Sequence, residues 1–197
     1  MPREQRRITR DDILPMTQYG KERAERRKAL LPTKKLRRVE VGPHATFYFE
    51  NYDTMWLQVH EMLFIERGGD EQIADELSAY NPLIPAKGEL VATLMFEIDD
   101  ADQRARVLRQ LTAIEETAFL DVAGERIKAS FETDVERTAE DGKTSSVHFL
   151  RFRLNPVQIA RFRDPTATVM LGFTHTNYGH IAIVQPDARA ELAKDLG

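Results

Sequence analysis

The sequence contains no cysteine, which excludes disulfides, thiolate-held iron–sulfur clusters and thiol nucleophiles. It has no apolar run near the roughly 18 residues that a membrane span needs. Its first residues, MPREQRRITRDD, hold no apolar signal core, so a cytoplasmic protein without a membrane anchor is the default expectation. Catalytic signatures are missing as well: there is no Gly-x-Ser-x-Gly elbow, phosphate-binding loop or dinucleotide fingerprint. The stretch QVHEMLFIE (58–66) begins like a zinc-protease helix. The position four residues after His60 is Phe64, however, so the second imidazole is absent.

What is present fits a soluble globular chain. The sequence is 42% hydrophobic and 30% charged, and 197 residues suffice to bury a core. One domain is expected: a helical and hairpin part at 1–88, a sheet region at 89–184 and a C-terminal helix at 185–197. Charge is uneven, with +7 over residues 1–40 and -11 over the remainder. Such asymmetry can mark a nucleic-acid arm. The basic stretch lacks interleaved aromatics and Gly-rich turns, so a basic helix lying on an acidic body, or a solvated face, is the preferred reading.

A highly charged helix is expected from about Thr17 to Leu31, ended or restarted at Pro32. RRVEV and ATFYFE flank Gly42-Pro43 as a hairpin. Two helices follow, the first capped by Asp53 with Trp56, Val59 and Leu63 on one face. The second is capped by Asp70, carries Ile73, Leu77 and Tyr80, and stops at Asn81-Pro82.

The C-terminal half then repeats one order. ELVATLMFEIDDADQRARVLRQL and SSVHFLRFRLNPVQIARFR are each a strand, a cap and a helix, with Asn155 and Pro156 starting the second helix. A hairpin follows each. The fold class expected is therefore α+β: N-terminal helices, then a largely antiparallel or mixed sheet of two strand–helix–strand–strand units. That sheet would have about six to eight strands, with helices mainly on one face. Aligning Phe96 with Phe152 places His148 where the first unit has Ala92.

His148 shares a strand face with Leu150, Phe152 and Leu154, an unusual place for an imidazole. HTNYGH (175–180) reads as a hairpin tip. A two-residue turn at Asn177-Tyr178 would set His175 opposite His180, close enough to share a metal. Glu61, Glu66 and His60 are further oxygen or nitrogen donors. Arg151 and Gln58 are the candidates for binding a cofactor, a guanidinium being suited to carboxylate or phosphate. Pairing of the strand arginines with a carboxylate such as Glu132 or Glu97 is the simpler reading.

The segments FEN, QVHEMLFIER, DELSAYNPLIP, LVATLMFEI, KTSSVHFLRFRL and HTNY, in that order, resemble the bacterial domain-of-unknown-function family 3501 from about Thr9 to Leu196. Gln58, Glu61, Glu66, Tyr80, Asn81, Pro82, His148, Phe149, Arg151, His175 and Tyr178 stand at its motif positions; His60 and His180 do not. The resemblance supplies no catalytic residues. It implies association with an iron–sulfur oxidoreductase or a rubrerythrin-like protein in peroxide defence or electron transfer. Three readings follow. The first is a non-catalytic accessory protein or adaptor for such a redox partner. The second is a metal-dependent enzyme holding one Fe, Mn or Zn ion on His148, His175 and Glu61 or Glu66, with Tyr178 as proton donor. The third is a nucleic-acid-binding regulator using the basic segment. A homo-oligomer is compatible with all three.

Overall fold

Helix α1 (Met16–Leu36) leads into a hairpin of β1 (Arg38–Val41) and β2 (Ala45–Glu50) in the computed structural model, which describes residues 4–131 and 143–197. α1 runs straight through Pro32, where the sequence suggests an end. Proline removes one N–H and leaves the carbonyl four residues back unpaired. Pro32 and Lys28 both lie on the exposed side of the helix, where water can satisfy that carbonyl.

Helix α2 (Tyr52–Glu66) is capped by Asn51 rather than Asp53. Asn51 Oδ1 accepts the Thr54 N–H at 2.9 Å and Thr54 Oγ1 accepts the Asn51 N–H at 2.9 Å, closing a reciprocal cap. Asp53 sits inside the first turn. Helix α3 (Gly69–Tyr80) likewise starts before Asp70, which lies in the first turn and complements the helix dipole there.

The remaining elements are β3 (Glu89–Phe96), α4 (Ala101–Gln110), β4 (Ala118–Val122), β5 (Glu125–Lys128), β6 (Ser130–Phe131), β7 (Val147–Arg153), α5 (Pro156–Arg163), β8 (Val169–Phe173), β9 (Ile181–Ile183) and α6 (Pro186–Leu192). Asp100 caps α4 and Asn155 caps α5, with Pro156 in the first turn, as their sequences suggest. Most of the charged segment between the units, and Glu132, lie outside the described residues.

The fold is α+β with antiparallel strands, and the strand–helix–strand–strand order occurs twice. Those strands form two sheets rather than one: β1-β2-β3-β7-β6 and β5-β4-β8-β9. Each unit gives its first strand to the larger sheet and its hairpin to the smaller. β3 pairs with β7, and β4 pairs with β8. Strand alternation then assigns the faces. Phe47, Phe49, Leu94, Leu150 and Phe152 of the larger sheet pack with Leu120, Val122, Leu171 and Phe173 of the smaller into the main core. The opposite face of the larger sheet carries Val91 and Phe149 and is covered by Met55, Val59 and Leu63 of α2, with Ile73, Ile84 and Ile8.

Candidate functional site

His148 is fully buried on the core face of β7, edge-on to Phe96. Its Nε2 lies 2.9 Å from the Ser145 carbonyl, which can only accept, so Nε2 carries a proton. Its Nδ1 lies 3.5 Å from Glu115 Oε2. Glu115 is buried as well, so the two form a histidine–carboxyl pair inside the core. His175 sits in the loop between β8 and β9. The tip forms a bridge between His175 and Tyr178, so His175 faces Tyr178 and not His180. Its Nε2 donates to the Thr112 carbonyl at 3.1 Å and its Nδ1 accepts from Asn177.

The other candidates are also engaged. The Tyr178 hydroxyl accepts from the His44 and Ala45 N–H groups and donates to the Val41 carbonyl, each at 2.9 Å. One proton and two lone pairs are thereby used, and Tyr178 anchors the β8–β9 loop onto the β1–β2 turn. That turn needs Gly42: its φ is +70°, and a Cβ there would lie 2.9 Å from the Tyr178 hydroxyl. Arg151 donates to Glu89 at 2.6 Å and to the Pro82 carbonyl at 2.7 Å, and Arg153 holds the other Glu89 oxygen at 2.8 Å. Burial works to raise the Glu89 carboxyl, but bonds from Arg153 and Arg151 outweigh it and hold it low. The strand arginines therefore pair with a neighbouring-strand carboxylate, Glu89; Glu97 instead binds Thr46, Tyr48 and Arg38.

Glu61 faces α1. It accepts Arg23 through both oxygens at 2.8 Å and the Tyr19 hydroxyl at 2.6 Å. The Arg23 bonds foremost hold its carboxyl down at about 2, whereas burial foremost pushes the Tyr19 hydroxyl up. Glu66 is exposed and accepts from Gln72 at 2.7 Å. His60 is fully buried; its Nδ1 donates to the Trp56 carbonyl at 2.7 Å and its Nε2 accepts the Leu14 N–H at 3.0 Å. Burial foremost lowers its pKa, in keeping with an Nε2 that accepts a hydrogen bond. Glu61 thus lies beyond the outer face of the larger sheet and His148 on its inner face. Among the described residues no group of three or more His, Asp or Glu side chains is placed to hold a metal ion.

Among the cavities of the described residues, two contrast in their lining. The larger is a groove of about 910 Å³ between the start of α1, the end of α2 and the start of α3. Ile13, Leu14, Met16, Leu63, Phe64 and Ile73 give it an apolar floor. Gly20 lets α1 come close to α2 there, because a Cβ at that position would lie 2.8 Å from the Phe64 ring. The His60 bond to the Leu14 N–H fixes the wall opposite. Lys21, Arg67 and Arg10 stand at the rim, Arg10 being tied to Asp70 at 2.6 Å.

The smaller cavity, about 170 Å³, lies between β2, α2 and the end of α1, and it contains Gln58. Its floor is Glu50, nine-tenths buried, with Thr54 Oγ1 donating to one oxygen at 2.6 Å and Thr93 Oγ1 to the other at 2.8 Å. Burial pushes the Glu50 carboxyl up, against the two threonine bonds and the charges of Lys34 and Arg37. Sequence reading did not single out Glu50, Thr93 or Lys34. The available signal was the polar run Thr46, Tyr48, Glu50 on one face of a strand whose other face is Phe47 and Phe49.

Residues 7–196 match the sequence pattern of a family described as protein of unknown function (DUF3501). The fold is also that of a crystal structure of a novel protein of unknown function from Burkholderia pseudomallei K96243. That protein is 38% identical, with a TM-score of 0.89 over 96% of this chain and 99% of the other. No curated protein matches the sequence.

Proposed function

The chain belongs to the DUF3501 family of proteins of unknown function, and within that family we propose that it is a non-catalytic accessory protein that docks a partner through the α1–α2–α3 groove. The observation that carries this reading is the groove itself, a large apolar floor bordered by cations. Lys21 and Arg67 take part in no ion pair among the described residues. An apolar groove with a basic rim is complementary to an amphipathic helix whose apolar ridge is flanked by acidic residues. The partner class implied by the family resemblance, a rubrerythrin-type protein or an iron–sulfur oxidoreductase, is the one to test first. The chain brings no cysteine of its own to such chemistry.

The test is fluorescence anisotropy with a labelled helical probe peptide of leucine and glutamate, beside a leucine–lysine counterpart. The acidic probe binds saturably and weakens with added salt, and the basic one does not bind. Reversing Lys21 and Arg67 to glutamate weakens the acidic probe by about tenfold or more, or roughly 1.4 kcal/mol. Equal binding of both probes, or no response to the reversal, overturns the reading. Titration with a purified rubrerythrin-type protein and an iron–sulfur oxidoreductase separates the partner class from the surface. If neither binds while the acidic probe does, the redox partner is withdrawn and the groove stands.

A further inference from the structure

The cavity over Glu50 is independent of the groove and has a different chemistry. A carboxylate has about four lone-pair positions. The Thr54 and Thr93 hydroxyls occupy one on each Glu50 oxygen, and Arg37 passes the carboxyl by. The Arg37 guanidinium donates instead to the main-chain carbonyls of Phe49 and Glu50 and to the carboxylates of Glu191 and Asp195. Glu50 therefore keeps acceptor capacity with no cation bonded to it. Lys34 supplies an ammonium on the wall and forms no ion pair among the described residues. Gln58 adds a carboxamide whose one hydrogen bond among the described residues, to the Tyr80 hydroxyl, is 3.4 Å long. Met95 and Tyr48 line the apolar side. The volume of about 170 Å³ is that of about six waters and lies below the clefts that hold drug-sized ligands.

A carboxyl on the floor, an ammonium on the wall and a small apolar flank match a small molecule that carries both charges. We propose that this cavity binds an α-amino acid with a short apolar side chain. Its ammonium donates to the open positions of Glu50, its carboxylate meets Lys34, and the Gln58 amide bridges the two. Burial of a carboxyl costs stability unless its charge is used, and an ammonium ligand uses it.

Isothermal titration calorimetry on the full chain tests this with L-alanine, methylammonium and acetate as probes. L-alanine binds saturably, and each half-ligand binds about tenfold more weakly or not at all. Glu50→Gln and the exposed Lys34→Met each weaken L-alanine by about tenfold or more, while Lys34→Met does not weaken methylammonium. Circular dichroism confirms that both variants are folded, and Lys34→Met decides the matter should Glu50→Gln fail to fold. No saturable L-alanine binding, methylammonium binding as tight as L-alanine, or full retention in a folded variant overturns the proposal.

Discussion

Glu50 and Glu61 lie about three helical turns apart in sequence, yet their surroundings move their carboxyls in opposite directions. For Glu61 the folded pKa is depressed to about 2, foremost by Arg23. Its stabilisation is present above the unfolded value of about 4.3 and is lost as pH falls toward 2. For Glu50 the folded pKa is raised, foremost by burial, so its contribution is full below about 4.3 and is lost as pH rises through the folded value. Urea unfolding therefore gives opposite results for the two amides. Glu61→Gln loses on the order of 1–2 kcal/mol at pH 7 and little near pH 2. Glu50→Gln gains stability relative to its parent as pH rises above about 4.3, because the amide carries no charge to bury. A stability of Glu50→Gln relative to its parent that does not rise over that pH range contradicts the environment described for it.

Individual residues were only partly legible in the sequence. An imidazole on an apolar strand face correctly marks His148 as a polar group in the core. Its partner Glu115 is distant in sequence, and no spacing reveals it. Tyr178 and Arg151 are visible as unusual residues, but their bonds to main-chain groups on other elements emerge only with the fold.

Elements are more readable where their signal is local. Asp100, Asn155 and Pro156 announce α4 and α5 because a cap needs only its own first turn. Asn51 and Asp53 are both capping residue types, and only the partner Thr54 decides between them. The division into two sheets has no local signature, since alternation gives a strand its faces and not its neighbours. The β4–β5 turn holds a testable strain. Ala123 has φ +53° and Gly124 φ +84°, a pair of left-handed residues for which asparagine–glycine is preferred. Ala123→Asn should stabilise the chain by about 0.5–1 kcal/mol, raising Tm by roughly 1–4 °C in thermal unfolding. A lowered Tm would mean the turn is held by something other than its own backbone preference.

At the scale of the whole molecule, the duplicated order in the sequence survives as β3 against β7 and β4 against β8. The groove does not show in the sequence at all. It is assembled from residues 10–21 and 63–73, each ordinary when read alone. Part of the basic excess of the N-terminal 40 residues is spent on carboxylates elsewhere in the chain, Arg10 with Asp70, Arg23 with Glu61 and Arg37 with Glu191. Lys21 and Arg67 remain beside the groove. Hydrogen–deuterium exchange of the full chain, with and without the acidic helical probe, tests the docking claim most directly. The predicted result is protection confined to residues 10–21 and 63–73 and abolished when Lys21 and Arg67 are reversed to glutamate. Protection centred elsewhere, such as the exposed Ile181 and Ile183 of β9, or none at saturating probe, would contradict it.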